Sequence, residues 1–508
     1  MGVLNNIFIV AIITLSSRIF GLWRDILTFT ALGTGIENSA FIFAFTLPNL
    51  FRRLFGEGAL TSALVPVFSD EFHKNSLQSA FSLLNKTVTR VALILLGIVA
   101  SGMLIIGVFF ALGLDQIGNR WRYSLNFSAL LLPYMIFVCL AAIFSAVLNV
   151  LGQYFLSSMN AIWLNVSMIV FFYISGYYCQ YGLVSRIYWL CAGVLAGGVV
   201  QLMLPVIQLY KLGWRVKFDL GTSPQFHRLK QLFIPGFVGA SIMQVNIAVS
   251  RWLAFGLSNS AMSILYLANR LMELPLGVFV VAITTVMFPN MSKFASKNDR
   301  ARLSAAFQRG ANMIIAIVLP AALGIIVLRS EIFIVLFKYG NFGLDDMLDT
   351  LPVVYVFMIA MVFYALSTFF VRGFHVMKNT KIPVYISLVS FIVNFIATLI
   401  LMKPYGVKGV AMANLLSVVV QTVLLYLFLI RIDHLFRLKN LYDTLSTVIF
   451  SCLIMSTVVV FCCTWLKNAV CSEKLYGVLS ILVGVPVGVG SYLVSLYLLG
   501  FKKILTKP

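Results

Sequence analysis

Charge is what this sequence has least of. Asp, Glu, Lys and Arg make up 10% of its 508 residues, where a soluble globular domain carries about 25%. Histidine is nearly absent: His73, His227, His375 and His434 lie in connectors or at the ends of apolar segments, with no metal-ligand spacing among them. The seven cysteines show no metal spacing and no disulfide framework; most sit in apolar segments, where Cys behaves as a small hydrophobe. No glycine-rich phosphate loop and no nucleophile motif occurs. These absences argue against an ATP-driven pump, a metalloenzyme and a disulfide-stapled secreted domain. No cofactor and no metal site is expected.

What remains is apolar. Hydrophobic residues make up 61% of the chain, and a helix needs ~20 mainly apolar residues to cross a bilayer. Fourteen segments qualify, at 3–31, 36–57, 86–112, 123–150, 156–178, 186–210, 231–256, 259–291, 306–328, 350–376, 382–402, 407–430, 441–466 and 475–500. The expectation is an all-α polytopic membrane protein, because backbone polar groups in lipid must be satisfied within each segment and no barrel-like alternation is present. The longest connectors are 58–85, 211–230 and 329–349. The N-terminus lacks a basic region before its apolar run, so it reads as the first helix rather than a signal peptide.

The net charge of +21 records topology more than nucleic-acid binding. If the first helix starts in the cytoplasm, connectors on that side hold about twice as many Lys and Arg as those opposite. Lys211, Arg215, Lys217, Arg228 and Lys230 fall on the richer side; Arg120, Arg122, Lys338 and Lys474 fall on the poorer one. This bias places both termini in the cytoplasm and brings basic connectors against anionic lipid.

Two internal similarities suggest a repeat. LVPVFS at 64–69 resembles MFPNMS at 287–292, aligning Pro66 with Pro289, and the stretch 181–201 resembles 405–421, aligning Gly182 with Gly406. Two six-helix lobes around a central cavity follow, an arrangement of secondary transporters. The expected divisions are an N-terminal lobe at 1–210, a basic linker at 211–230, a C-terminal lobe at 231–430 and two appended helices at 431–508.

The informative residues are charges inside apolar segments. Lys86, Arg90 and Arg309 lie in the first turns of helices and Arg251 near an outer end, where side chains snorkel to headgroups. Arg18 and Arg270 lie ~17–23 Å from their helix starts, too deep for comfortable snorkelling. Such arginines line a wet cavity or lock helices as buried pairs, and both readings stay open here. Arg53 and Glu57 have i,i+4 spacing, and Arg270 and Glu273 have i,i+3 spacing, so each can pair along one face. Asp25 follows Arg24 and shares a face with Arg18. Arg52 lacks a charged partner on its own helix and is the freer to meet an anion. Pro48 and Pro275 allow bending beside these groups. Arg18, Arg24, Arg52 and Arg270 thus form a cationic set with Asp25, Glu57 and Glu273 as counter-ions. Arginine without lysine favours a phosphate-bearing ligand, with Arg52 and Arg270 as the two halves of a clamp.

The same residues carry a resemblance. SRIFGLWRD at 17–25, AFTLPNLFRRLFGEGALTSALVPVFSDEF at 44–72 and ANRLMELPLGVFVVAITTVMFPNMSKF at 268–294 resemble the MurJ/MviN lipid II flippases of the multidrug/oligosaccharidyl-lipid/polysaccharide exporter superfamily. The resemblance runs nearly end to end. It implies an inner-membrane protein that moves lipid II, the lipid-linked peptidoglycan precursor, outward by alternating access, as a monomer that works beside the cell-wall synthases. It implies cavity arginines at Arg18, Arg24, Arg52 and Arg270, supported by Glu57, Glu273, Asn49 and Ser263. Two departures stand out. Ser39 occupies a position where many members have aspartate, with Glu37 two residues earlier. Some members bind sodium through an acid in the seventh helix, but 231–256 offers only Gln244 and Asn246, so no sodium site carries over. The coupling ion is left open, with the membrane potential as driving force: outward movement of an anionic headgroup gains ~2.3 kcal/mol per charge per 100 mV. The appended helices suit the walls of a groove for the lipid tail. Sister functions remain beside this one: a flippase for O-antigen or capsule lipids, a drug exporter, or a scaffold for synthases.

The charge bias makes a direct prediction. Single-cysteine labelling at residue 2 and near residue 506 will require permeabilised cells, whereas labelling near residue 340 will not.

Overall fold

The computed structural model describes residues 3–55, 58–113, 118–178, 182–439 and 441–500. Among them every regular element is helical, as the need to satisfy backbone groups in lipid demands. Two compact units divide the chain, Met1–Phe255 and Gly256–Pro508. The segment expected to open the second lobe therefore lies almost wholly in the first unit.

The first unit contains α1 (Val3–Leu32), α2 (Ile36–Phe55), α3 (Ala59–Lys74), α4 (Leu77–Ala111), α5 (Asn119–Leu131), α6 (Tyr134–Val150), α7 (Tyr154–Tyr178), α8 (Leu183–Lys211) and nearly all of α9 (Pro224–Leu257). Small residues let its helices approach. A Cβ on Gly193 of α8 would lie 2.9 Å from the Phe171 Cβ on α7, and one on Gly198 would lie 2.6 Å from the Tyr134 ring. Where apolar helices gain nothing by leaving equally apolar lipid, such close packing and interhelical hydrogen bonds hold them. Gln201 supplies the bonds here, accepting from the Tyr134 hydroxyl at 3.3 Å and donating to the Asn160 carbonyl at 2.7 Å.

The second unit contains α10 (Ala261–Pro275), α11 (Val281–Ser296), α12 (Arg300–Val327), α13 (Arg329–Leu336), α14 (Leu344–Val376), α15 (Lys381–Ile432), α16 (Leu441–Ala469) and α17 (Glu473–Leu498). Inside α15, Gly406 has φ 58° and ψ −136°, a conformation that suits glycine because it has no Cβ. It divides α15 into the two apolar segments expected at 382–402 and 407–430. The two arms lie side by side, joined by a 2.8 Å Ser390–Ser417 hydroxyl contact and a 2.8 Å bond from Asn394 Nδ2 to Asn414 Oδ1. The appended helices are part of this unit's core. Val448, Cys452, Met455, Val459 and Cys463 of α16 cluster with Ile315, Ala316, Leu328 and Tyr492, and the Tyr492 hydroxyl donates to the Ala316 carbonyl at 2.6 Å.

By length and composition, ten helices among the described residues are apolar enough to cross a membrane. The count is eleven when the bent pair α5–α6 is one span, against fourteen expected. Part of the difference is bookkeeping of the chain: α15 counts once although Gly406 divides it. Helices α1 and α2, which carry Arg18, Arg24, Asp25, Glu37, Arg52 and Arg53, are outside that set.

Two connectors are more ordered than sequence reading foresaw. Residues 58–85 hold α3, whose buried face packs Leu60, Leu64, Val67 and Phe68. The basic linker is docked on α4. Asn85 accepts from Trp214 Nε1 at 2.9 Å and donates to the Arg215 carbonyl at 3.0 Å. Thr89 accepts from the Asp219 amide at 3.2 Å. Lys86 lies 3.8 Å from Asp219, and Arg90 donates to the Leu220 and Gly221 carbonyls while stacking 4.1 Å over Phe226. Lys86 and Arg90, expected to snorkel toward headgroups, hold the linker instead.

Buried Glu71 ties α3 to this assembly, accepting from Ser79, from Asn75 at 2.9 Å and from Gln225 at 3.5 Å. The Ser79 hydroxyl bond, aided by Asn75 and Gln225, holds its pKa below the usual 4.5 against the opposing effect of burial. A depressed carboxylate contributes stability above its unfolded pKa and loses it as pH falls through the folded value. Limited proteolysis of the 211–223 linker should therefore stay slow above about pH 4.5 and accelerate below it. Glu71→Gln should flatten that acid response.

Candidate functional site

The charges that α1 and α2 carry are placed by helix geometry and by polar neighbours on other helices. Arg24 and Asp25 are both buried. Arg24 donates to Asp25 Oδ1 through Nη2 at 2.6 Å and Nε at 3.1 Å, and through Nη1 to Asn165 Oδ1 at 3.0 Å. Asn165 in turn donates to the Ser17 and Ala161 carbonyls, both at 3.2 Å. This network joins α1 to α7. The lock reading holds for Arg24, and its counter-ion is Asp25; Asp25 was also placed on the face of Arg18, and its Oδ1 is taken by Arg24.

Arg18 stands differently. It is half-buried in the middle of α1 and makes no hydrogen bond or ion pair with the described residues. On α2, Arg52 and Arg53 occupy the last turn, also half-buried. Arg52 is not without a partner on its own helix, as spacing of charges alone implied: its Nε donates to Asn49 Oδ1 at 3.4 Å, three residues back. Asn49 Nδ2 donates to the Phe45 carbonyl at 3.0 Å, which orients its oxygen. Tyr134 of α6 lies within electrostatic reach of both Arg52 and Arg24. Glu57, and with it the expected Arg53–Glu57 pair, lies outside the described residues.

Arg251, expected to snorkel, donates to the Thr46 hydroxyl at 2.8 Å and so joins α9 to α2. Ser39, in place of the aspartate, is fully buried and donates to the Thr34 carbonyl at 3.4 Å. Beside it Asn38 donates to the Gly33 carbonyl at 2.7 Å. The pair closes the α1–α2 turn.

In the second unit, Arg270 and Glu273 face each other on α10 at 3.8 Å, the i,i+3 pair read from the sequence. Asn269 Nδ2 holds the other carboxylate oxygen at 3.0 Å, and Ser263 is fully buried. Directly after Pro275 the chain makes one π-helical turn, Leu276–Val280, before α11. Such turns concentrate at functional sites. On the alignment of Pro66 with Pro289 expected from the sequence, Gly58, immediately before α3, falls against Val281, where α11 begins.

Asn165, Thr46, Tyr134 and Asn269 were not singled out from sequence. Asn165 was the most visible of them, an amide in the middle of a largely apolar helix. Removing the Arg24 lock should be costly: Asp25→Asn leaves a buried guanidinium without its carboxylate, at about 3–5 kcal/mol. Asn165→Ala should cost about 1–3 kcal/mol. Thermal unfolding in detergent should rank Asp25→Asn below Asn165→Ala, and both below wild type.

Residues 29–479 match the family model "Lipid II flippase MurJ". The chain is 30% identical over 521 aligned positions to a probable lipid II flippase MurJ of Vibrio cholerae, covering 98% of this chain and 96% of that one. It is 30% identical over 434 positions to its counterpart in Bdellovibrio bacteriovorus, covering 83% and 81%. Among solved structures, lipid II flippase MurJ in an inward closed conformation aligns with a TM-score of 0.79 at 25% identity, covering 98% of this chain and all of the other. An inward-facing multidrug-resistance MATE transporter aligns at 0.67 with 14% identity, a likeness of fold alone.

Proposed function

The chain belongs to the lipid II flippase MurJ family, and from that premise we propose that it carries lipid II from the inner to the outer leaflet of the cytoplasmic membrane by alternating access. The observation that carries this reading is Arg18: a half-buried guanidinium in mid-helix, uncommitted among the described residues. In hydrocarbon, an arginine costs several kcal/mol unless water or an anion meets it. The pyrophosphate of lipid II is an anion that a planar guanidinium fork holds through two hydrogen bonds. Arg52, Arg270 and Arg53 are the further cations available to it, with Asn49 and Glu273 setting the direction of Arg52 and Arg270. Arg24 serves differently from the others, holding α1 and α7 in place beneath Arg18. Glu57 and Ser263 complete the supporting set.

The polyprenyl tail needs an apolar surface open to lipid. The outward faces of α16 and α17 offer Leu453, Phe461, Trp465, Leu482, Leu493 and Val494, all exposed. Both termini lie in the cytoplasm, the membrane potential draws the anionic headgroup outward, and the protein works as a monomer beside the cell-wall synthases.

Transport of labelled lipid II into the outer leaflet of proteoliposomes tests the reading. Arg18→Ala, Arg52→Ala and Arg270→Ala should each lower the rate at least tenfold, since a charge-assisted hydrogen bond contributes about 1.5–3 kcal/mol. The lysine variants should recover only part of it, because the fork is lost. Full activity in all three alanine variants, or equal transport of an unrelated lipid-linked glycan, would count against lipid II as the cargo these arginines select.

A further inference from the structure

Glu331 is the one buried carboxylate among the described residues of the second unit, and no arginine of the candidate site engages it. It sits in the first turn of α13. Its Oε1 accepts the Tyr476 hydroxyl of α17 at 2.8 Å, while its Oε2 is buried and takes no hydrogen bond. Ser480, fully buried, stands one turn further along α17 beside both the Tyr476 hydroxyl and the Cys463 thiol. Gly477 lets the two helices close: a Cβ there would lie 3.0 Å from Val335 and 3.2 Å from Ile334.

The neighbouring cations are committed elsewhere. Lys338 pairs with Glu473 at 2.5 Å, Lys474 lies 4.1 Å from the centre of the Tyr339 ring, and Arg329 donates to the Ile326 carbonyl at 2.5 Å. A buried carboxylate with no paired cation is expensive to maintain, and an unsatisfied buried oxygen in a native fold calls for an ion or a water.

We propose that Glu331, Tyr476 and Ser480 bind a small, hard, monovalent cation of the sodium type. The donors are all oxygens, which suits a hard cation rather than a thiophilic one. One negative charge balances one positive charge. A divalent ion would call for more carboxylates, and no cluster of three His, Cys, Asp or Glu residues occurs among the described residues. On the charge-bias topology, the 329–349 and 467–474 connectors open this site to the outer side. The site stands on the second unit alone and does not depend on the transported substrate.

The test uses the purified full chain in detergent, with radiolabelled sodium binding and thermal unfolding in NaCl, LiCl, KCl or choline chloride at equal ionic strength. Wild type should bind about one sodium per chain and unfold at higher temperature in NaCl than in choline chloride. Glu331→Gln should lose both responses, and Ser480→Ala should weaken binding several-fold while its circular dichroism is unchanged. Absence of sodium binding in wild type, a response that survives Glu331→Gln, or stabilisation by acid alone would overturn the proposal, leaving a site that holds water only.

Discussion

A charge taken out of water must be neutralised by its neighbours, and in an apolar helical bundle the places where this happens hold the structure together. The Arg24–Asp25–Asn165 network shows how: one guanidinium, one carboxylate oxygen and one amide join α1 to α7 and anchor the amide to two carbonyls. Arg251 on Thr46 likewise joins α9 to α2. Where hydrophobic burial gives helices little reason to prefer one another over lipid, such bonds and close glycine contacts set which helices meet.

That same requirement separates the arginines by role. A fully occupied guanidinium such as Arg24 has little left for a ligand. Arg52 makes a long bond of 3.4 Å to Asn49, and Arg18 makes none with the described residues. The gradient from committed to uncommitted runs along one helix, over less than two turns between Arg24 and Arg18. It gives the two residues different work although the sequence presents them as equivalent members of one cationic set.

Interrupted helices position these groups. The start of α3 at Ala59 and the π-helical turn at Leu276–Val280 each follow arginines of their own unit by less than three turns. An interruption frees backbone carbonyls and permits bending without unfolding the helix on either side. The linker on α4 and the α16–α17 pair, by contrast, are built into their units: Asn85 bonds Trp214 directly, and Tyr492 reaches the Ala316 carbonyl.

Much of this protein was determined by sequence alone, because the bilayer imposes a one-dimensional rule: helices must be long, apolar and internally bonded. The all-helical class and the division of α15 into two apolar segments were legible on that basis, and helical spacing gave the Arg270–Glu273 pair. Tertiary structure decided what depended on neighbours from distant parts of the chain. Asp25 went to Arg24 because Asn165, 141 residues away, fixes the guanidinium from the other side. Arg90 turned to the Leu220 and Gly221 carbonyls rather than the headgroups because the linker folds back across α4. The unit boundary fell in the last turn of α9 because that helix is tied to α2, α3 and α4 through Arg251, Arg228 and Phe226. A charge's depth can be counted along a helix. Its partner is chosen in three dimensions, by whichever polar group the fold brings within about 3 Å.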